Sequence, residues 1–363
     1  MAETKLITTL EEFEAERAKG IGVTLPPTGK VADVNLDTIS RFVEGIGDYN
    51  PLWTNEEYAK KSRFGMVAAP PTFVYSMSIG SGVSGSGNIP GERLSTRYFP
   101  INYAGADLEF FRPILLGDKL HLTEKIGEQF RKVSKRMGPI LFCRGLTSFF
   151  NQRQELVATI NVLMARYLNV GRGMEYDRAP KAGATIEPAD PLVHERKRRG
   201  AQTLYWEDVK EGEEIPTLKK GTYTVSELFQ WTINASWHHR SARTALEREE
   251  SADLSAGGRF DAEHALKRRN MPGQFDVGAQ RVCWCAQIVT DWMGNDATLK
   301  KMSVSVRHPN IVGDTNTVYG KVLRKYIEDG QHLAEVEMEI HNQAELVTTS
   351  GRATVALLSK GTT

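Results

Sequence analysis

Helical and alternating apolar spacings follow one another twice along this chain, in the same order. A capping signal, Asp37-Thr38-Ile39-Ser40, precedes a helix predicted over 41–47, and an apolar helical stretch follows over 67–79. Segments alternating with period two come next, over 106–111, 119–126, 140–150 and 156–167. The second pass starts with the capping signal Thr224-Val225-Ser226-Glu227 and a helix over 228–234. An apolar helical stretch over 277–292 follows, then strands over 301–307, 317–326, 333–342 and 346–357. Gly117-Asp118 and Gly313-Asp314 mark matching turns. A long helix followed by a run of antiparallel strands predicts an α+β module with the helix packed on one sheet face.

Three landmarks establish the repeat. Ile39-Ser40 through Trp53 matches Val225-Ser226 through His239 at an offset of 186. Arg112-Pro113-Ile114-Leu115-Leu116-Gly117-Asp118 matches His308-Pro309-Asn310-Ile311-Val312-Gly313-Asp314 at 196. Asn151-Gln152 through Val157 matches Asn342-Gln343 through Val347 at 190 or 191. Offsets this close, in one order, mean duplication with small insertions. The modules are expected over 1–175 and 201–363. Between them, 176–200 reads as a linker, rich in Pro and Ala and ending in the basic run His194–Arg199, which is expected to be solvated rather than a phosphate patch.

Length agrees, since 363 residues suit two domains of about 150–180 each. A formal net charge of +1 gives no electrostatic reason to expect nucleic acid or a membrane surface as partner. No apolar run approaches the roughly 20 residues that span a bilayer. The segment 1–20 is acidic and amphipathic without a signal peptide's apolar core, so a cytoplasmic protein is expected. Cys143, Cys283 and Cys285 have neither disulfide-framework nor metal-ligand spacing and read as core residues. No metal site is expected. The glycine-rich run 80–87 lacks the lysine of a phosphate loop and reads as a flexible connector.

Gly47-Asp48-Tyr49-Asn50-Pro51-Leu52-Trp53, Tyr58-Ala59, Arg63-Phe64-Gly65 and Ala69-Pro70-Pro71-Thr72-Phe73 together resemble the MaoC-like dehydratase family. That family includes the (R)-specific enoyl-CoA hydratases, with a D-x-N-P-x-H pattern. The segments 110–118 and 151–157 resemble its F-x-x-P-x-x-x-G-D strand pair and N-Q-x-G-E strand. In the second half, Tyr205-Trp206-Glu207-Asp208-Val209 through Gly212 resembles its F-E-D opening. The resemblance implies a double hotdog, each long helix wrapped by an antiparallel sheet and the two sheets joined edge to edge. It also implies hydration of an enoyl-CoA thioester, or its reverse. An Asp and a His hold the water, and a backbone amide stabilises the enolate oxygen. CoA is part of the substrate, no cofactor is implied, and a homodimer or a pairing with a related hotdog subunit is expected.

The halves differ at the implied positions. Half one has Asp48 and Asn50, but Trp53 stands at the histidine position. Its amide position falls on Pro71, which has no N–H. Half one therefore reads as the acyl-cavity half, with Tyr49, Trp53 and Phe73 shaping the pocket for a medium, branched or ring-bearing acyl group. Asp48 also has a plain reading as a turn residue bonding nearby backbone N–H groups. Half two has His239 at the histidine position and Gly278 at the oxyanion-hole position, opening a helix. Asn234 stands at the carboxylate position, and Asn cannot take a proton. Three repairs are open: Asp276 reaches in, Asp48 crosses from half one, or His239 works with Asn234 alone. His238, Asn50, Trp53 and Arg307 are the expected substrate contacts, Arg307 with Lys300 and Lys301 for CoA phosphates. The charged insertion 240–269 is expected to be a flap over the cavity mouth. The rival readings are a catalytically silent acyl-CoA-binding subunit and a hotdog thioesterase.

Overall fold

The computed structural model describes residues 4–26, 31–80, 83, 88–89, 92–95, 99–135, 137–168, 198–235, 259–269 and 271–361. His238, His239, most of the glycine-rich connector, the body of the linker and residues 240–258 lie outside them.

Ten strands form one sheet, and the order of strands shows the duplication. Half one contributes β2 (Ala32–Asp33), β5 (Ile101–Phe110), β6 (Lys119–Ser134), β7 (Gly138–Phe150) and β8 (Leu156–Tyr167), while β1 (Thr4–Leu6), β3 (Asn88–Ile89) and β4 (Glu92–Ser95) form a small separate sheet. Half two contributes β9 (Glu214–Thr222), β10 (Thr298–Val306), β11 (Thr315–Glu328), β12 (Gln331–His341) and β13 (Val347–Leu357). The order β2-β6-β7-β8-β5-β10-β13-β12-β11-β9 places β5 of one half against β10 of the other. Their antiparallel pairing runs from Lys301 opposite Glu109 to Ser305 opposite Gly105. This is the edge-to-edge double hotdog that the resemblance implied.

The repeat extends to single hydrogen bonds. Asp118 accepts from the Leu115 amide at 2.9 Å, and Asp314 from the Ile311 amide at 2.8 Å. Asn151 accepts from the amides of Arg153 and Glu155, and Asn342 from those of Ala344 and Leu346. Gln152 and Gln343 each accept from the first residue of a strand, Lys119 and Thr315, at 2.9 Å. The motifs that revealed the duplication are turn-locking devices.

The two apolar helical stretches do not fold alike. In half two it becomes a helix, Gly278–Met293, with all sixteen residues buried. In half one the predicted helix over 67–79 is instead extended through Ala69, followed by a 3-10 turn at Pro71–Ser76. Pro70-Pro71 accounts for this. Each proline fixes φ and lacks an N–H, and the residue before a proline is pushed to extended backbone. Ala68 and Ala69 accordingly pair with Leu115 and Ile114.

The paired helices also differ. The first, Leu36–Ile46, starts earlier than its predicted signal. Asn35 caps it, in a reciprocal capping box with Thr38, and left-handed Gly47 stops it. The second has the predicted box between Thr224 and Glu227 but is α-helical only over Val225–Phe229, continuing as a π-helix over Gln230–Ala235. The two cross where Gly45 meets Ala235. The first helix's last carbonyls, left open by its end, are bonded from half two. Gln280 Nε2 donates to Gly45 at 3.2 Å, Trp284 Nε1 to Ile46 at 3.1 Å, and Gln287 Nε2 to Gly47 at 3.1 Å. Lys220 Nζ donates to Ile46 and Gly47 at 2.8 and 3.1 Å, a cation at the helix's negative end.

The linker's last residues are not solvated. The Arg198 side chain is 6% exposed and bonds Asp291, while Arg199 donates to the carbonyls of Asp291 and Trp292 at the end of the buried helix. Among the described residues no helix is long and apolar enough to cross a membrane.

The crossing tolerates no added methyl group. A Cβ at residue 45 would stand 2.6 Å from the Ala235 Cβ and 3.1 Å from the Gln230 carbonyl oxygen, with backbone on the far side. Gly45→Ala is expected to lower stability by about 1–3 kcal/mol, read from the midpoint of urea unfolding.

Candidate active site at the start of the buried helix

Gly278 is the first residue of the buried helix, and the residue before it, Val277, has no side chain that could cap that end. Val277 precedes it in extended backbone, and the strand-like pairing of Phe275 with Ile311 holds the approach. A buried helix N-terminus without a cap offers amide hydrogens and a positive partial charge. Glycine is required here for a second reason. A Cβ would lie 2.9–3.2 Å from the Cδ1, Cβ and Cγ atoms of Tyr103, whose ring rests on the helix start.

The structure commits Asp276 to a structural role. Its carboxylate lies 2.6 Å from Arg281 Nε, with both side chains 2% exposed, and it accepts from the Asn310 amide at 3.2 Å. Arg281 donates onward to the His308 carbonyl at 2.6 Å and to Thr349 Oγ1 at 2.9 Å. Arg259 bonds the Asp276 carbonyl oxygen. Burial pushes the Asp276 carboxyl above its ordinary range, and the Arg281 charge opposes that shift. This ion pair ties the helix start to the turn at 308–314, so Asp276 is not a free carboxylate for a bound water.

Asp48 is engaged elsewhere. Trp53 Nε1 donates to its Oδ2 at 3.0 Å and the Asn50 amide to its Oδ1 at 3.2 Å, with Arg198 at 3.9 Å. The tryptophan at the histidine position thus satisfies the carboxylate, and an indole N–H can only donate. Lys220 Nζ donates to Gln287 at 2.7 Å beside Gly47. Asp48 therefore stands near residues 287–291 of the helix, roughly 14 Å along its axis from Gly278 at 1.5 Å per residue. That distance closes the crossing repair. Desolvation raises the Asp48 carboxyl and lowers Lys220 to about 8, and desolvation together with the like charge of Asp48 takes Asp291 up to about 7, while the opposite charges nearby restrain these shifts. Arg198, paired with both Asp48 and Asp291, forms a buried ionic bridge between the halves.

Other expected residues sort in the same way. Asn50 caps the helical turn Pro51–Thr54 by accepting from the Leu52 amide at 3.0 Å. Phe73 packs edge-on to Phe42 in the core, Trp53 is buried against Asp48, and Tyr49 is half exposed. Arg307 is exposed at the strand end where Arg281 meets His308, hence at the Gly278 end. Lys300 and Lys301 lie toward the other end of β10, Lys301 roughly 20 Å away at 3.3 Å per residue, where it faces Glu109. They do not form one phosphate patch. Cys143, Cys283 and Cys285 are buried thiols, as expected. Asn234 is half-buried in the π-helix, whereas Asp48 lies beyond the glycine stop of its own helix, so the two positions are not structurally superposed. A π-helical turn is a frequent mark of a functional site. Of the expected residues, Tyr103 and Tyr75 were absent. The strand predicted from 106 begins at Ile101, which left Tyr103 out.

The sequence profile of the FAS1-like dehydratase domain region matches residues 20–160. A Streptomyces coelicolor UPF0336 protein is 33% identical over 107 residues, 29% of this chain and 68% of that protein. A solved MaoC-like dehydratase aligns with 95% of this chain and 100% of its own, with a TM-score of 0.67 at 16% identity. The chain belongs to the MaoC-like dehydratases of double-hotdog fold. A Mycobacterium tuberculosis protein described as a double hotdog covers 93% of this chain and 96% of its own, with a TM-score of 0.59 and 13% identity. A Thermomonospora curvata protein named a probable enoyl-CoA hydratase alpha subunit is 24% identical over 167 residues, 43% of this chain and 52% of that protein. The matched profile covers the first half, which carries Asp48 and Trp53.

Two substitutions separate structural from catalytic carboxylates. Asp276→Ala strands Arg281 in the core and is expected to cost about 3–5 kcal/mol in chemical unfolding. A variant as stable as the parent would reopen a catalytic role. Trp53→Phe removes one donor from a buried carboxylate. It should cost about 1–3 kcal/mol while leaving turnover per folded molecule unchanged.

Proposed function

We propose that the chain hydrates an enoyl-CoA thioester, or dehydrates the 3-hydroxyacyl-CoA, at the start of the buried helix. The uncapped, buried N-terminus at Gly278 carries this reading. The thioester carbonyl would accept from the Gly278 amide, which stabilises the enolate oxygen as charge develops, an effect of roughly 3–4 kcal/mol. His239 would move the proton of a water held with Asn234. With Asp276 and Asp48 both engaged, this histidine–asparagine pair is the repair that stays open. Arg307 would meet the CoA phosphates. The Thermomonospora curvata relative, named for hydration, supports the substrate class.

The engagement of both carboxylates also favours a second reading. A chain whose acids are structural can bind acyl-CoA and serve an active partner without turnover of its own. A cytoplasmic location and a partner hotdog subunit belong to the same proposal.

Incubation with crotonyl-CoA and with a bulkier enoyl-CoA separates these readings. Loss of enoyl absorbance without thiol release is the expected result, whereas thiol release marks a thioesterase, and CoA binding with neither marks the silent subunit. His239→Ala is expected to lower hydration by about 10²–10⁴-fold with thioester binding retained. Full activity in that variant sinks the assignment.

A further inference from the structure

Tyr75 and Tyr103 meet hydroxyl to hydroxyl at 2.8 Å, and either oxygen can be the donor. Two phenols hold two donor hydrogens, and one hydrogen bond between them uses one. Neither hydroxyl has another hydrogen-bond partner among the described residues. Among the described residues one O–H is therefore left over in a largely buried site, and a donor in that position costs free energy until an acceptor arrives. Burial also raises both phenols well above their ordinary range, so they stay neutral and act as donors, not bases.

Their placement relates the spare donor to a ligand. Tyr103 is held on Gly278, where its Cβ, Cγ and Cδ1 block any side chain on the helix start. It lies two residues beyond Gly105, where the pairing of β5 with β10 ends. The β5–β8 register also slips between Tyr103 and Gly105, a bulge that re-aims the side chain beside it. Tyr103 keeps partial exposure whereas Tyr75 has none, so the pair is approached from the Tyr103 side. Tyr75 itself comes from the 3-10 turn that Pro70-Pro71 puts in place of a long helix.

We propose that the Tyr75–Tyr103 pair determines acyl specificity, donating its uncommitted hydroxyl hydrogen to an oxygen on the acyl group some bonds beyond the thioester. The favoured substrates are acyl-CoA thioesters with a keto or hydroxyl oxygen on the chain, and plain alkyl chains are disfavoured. The proposal rests on the reading of Gly278 as the site of the thioester carbonyl.

Binding of saturated acyl-CoA compounds tests it without needing turnover. Calorimetry would compare hexanoyl- and octanoyl-CoA with the same chains bearing a keto oxygen moved stepwise outward beyond C3. At least one keto compound is expected to bind roughly tenfold tighter than its alkyl parent, the worth of about one buried hydrogen bond. The Tyr75→Phe/Tyr103→Phe double variant removes both hydroxyls and keeps the shape, so it is expected to fold. In it that preference should fall to near unity while alkyl-CoA affinity holds. Equal affinities across the wild-type series, or a preference that survives the double variant, overturn the proposal. A chain that binds with this preference but never consumes enoyl absorbance defeats the hydratase reading alone.

Discussion

The helix Gly278–Met293 has no face toward water, and that constraint organises the molecule. Every polar group on it needs a protein partner, because an unpaired one in the core costs roughly 1–3 kcal/mol or more. Gln280, Trp284 and Gln287 find theirs on the open carbonyls of the first half's helix, and Arg281 and Asp291 theirs in Asp276 and Arg198. Gln280, Trp284 and Gln287 thereby bind the halves together, whereas Arg281 ties the helix to its own half. Its middle and its end are thereby engaged with protein partners, and the proposed site lies at its first residue.

The same constraint explains why the duplication is structural and the halves are not equivalent. Among the described residues one long helix is wrapped, and the first half supplies a proline-directed turn where its own helix was expected. Bonded by Trp53, Asp48 becomes an anchor in the ionic bridge with Arg198 and Asp291. Such a bridge adds little net stability over apolar packing, but removing one member leaves a buried charge unpaired. It therefore fixes how the halves meet more than how tightly.

Much of this was legible in the sequence. The strands and their turns followed from alternation and from Gly-Asp and Asn-Gln signals, because those residues act locally, each bonding backbone within a few positions. The family resemblance at 47–53 led to the double hotdog. What sequence could not supply were partners brought together across the chain. Asp276 reads as a free acid until Arg281 is seen 2.6 Å away, and the basic linker end reads as solvated until Arg198 reaches Asp291. Apolar periodicity over 67–79 overrode two prolines in the reading, and the prolines prevail in the fold. Tyr75 and Tyr103 carry no motif at all, and only the packing of the 3-10 turn Pro71–Ser76 against β5 brings them together.

The central claim is the place of the thioester. A crystal structure of the chain with bound hexanoyl-CoA tests it most directly. The carbonyl oxygen is expected about 2.7–3.1 Å from the Gly278 amide nitrogen, with the acyl chain running toward Tyr103. A thioester lying instead against Asp48 and Trp53, at the far end of the helix, would contradict the account.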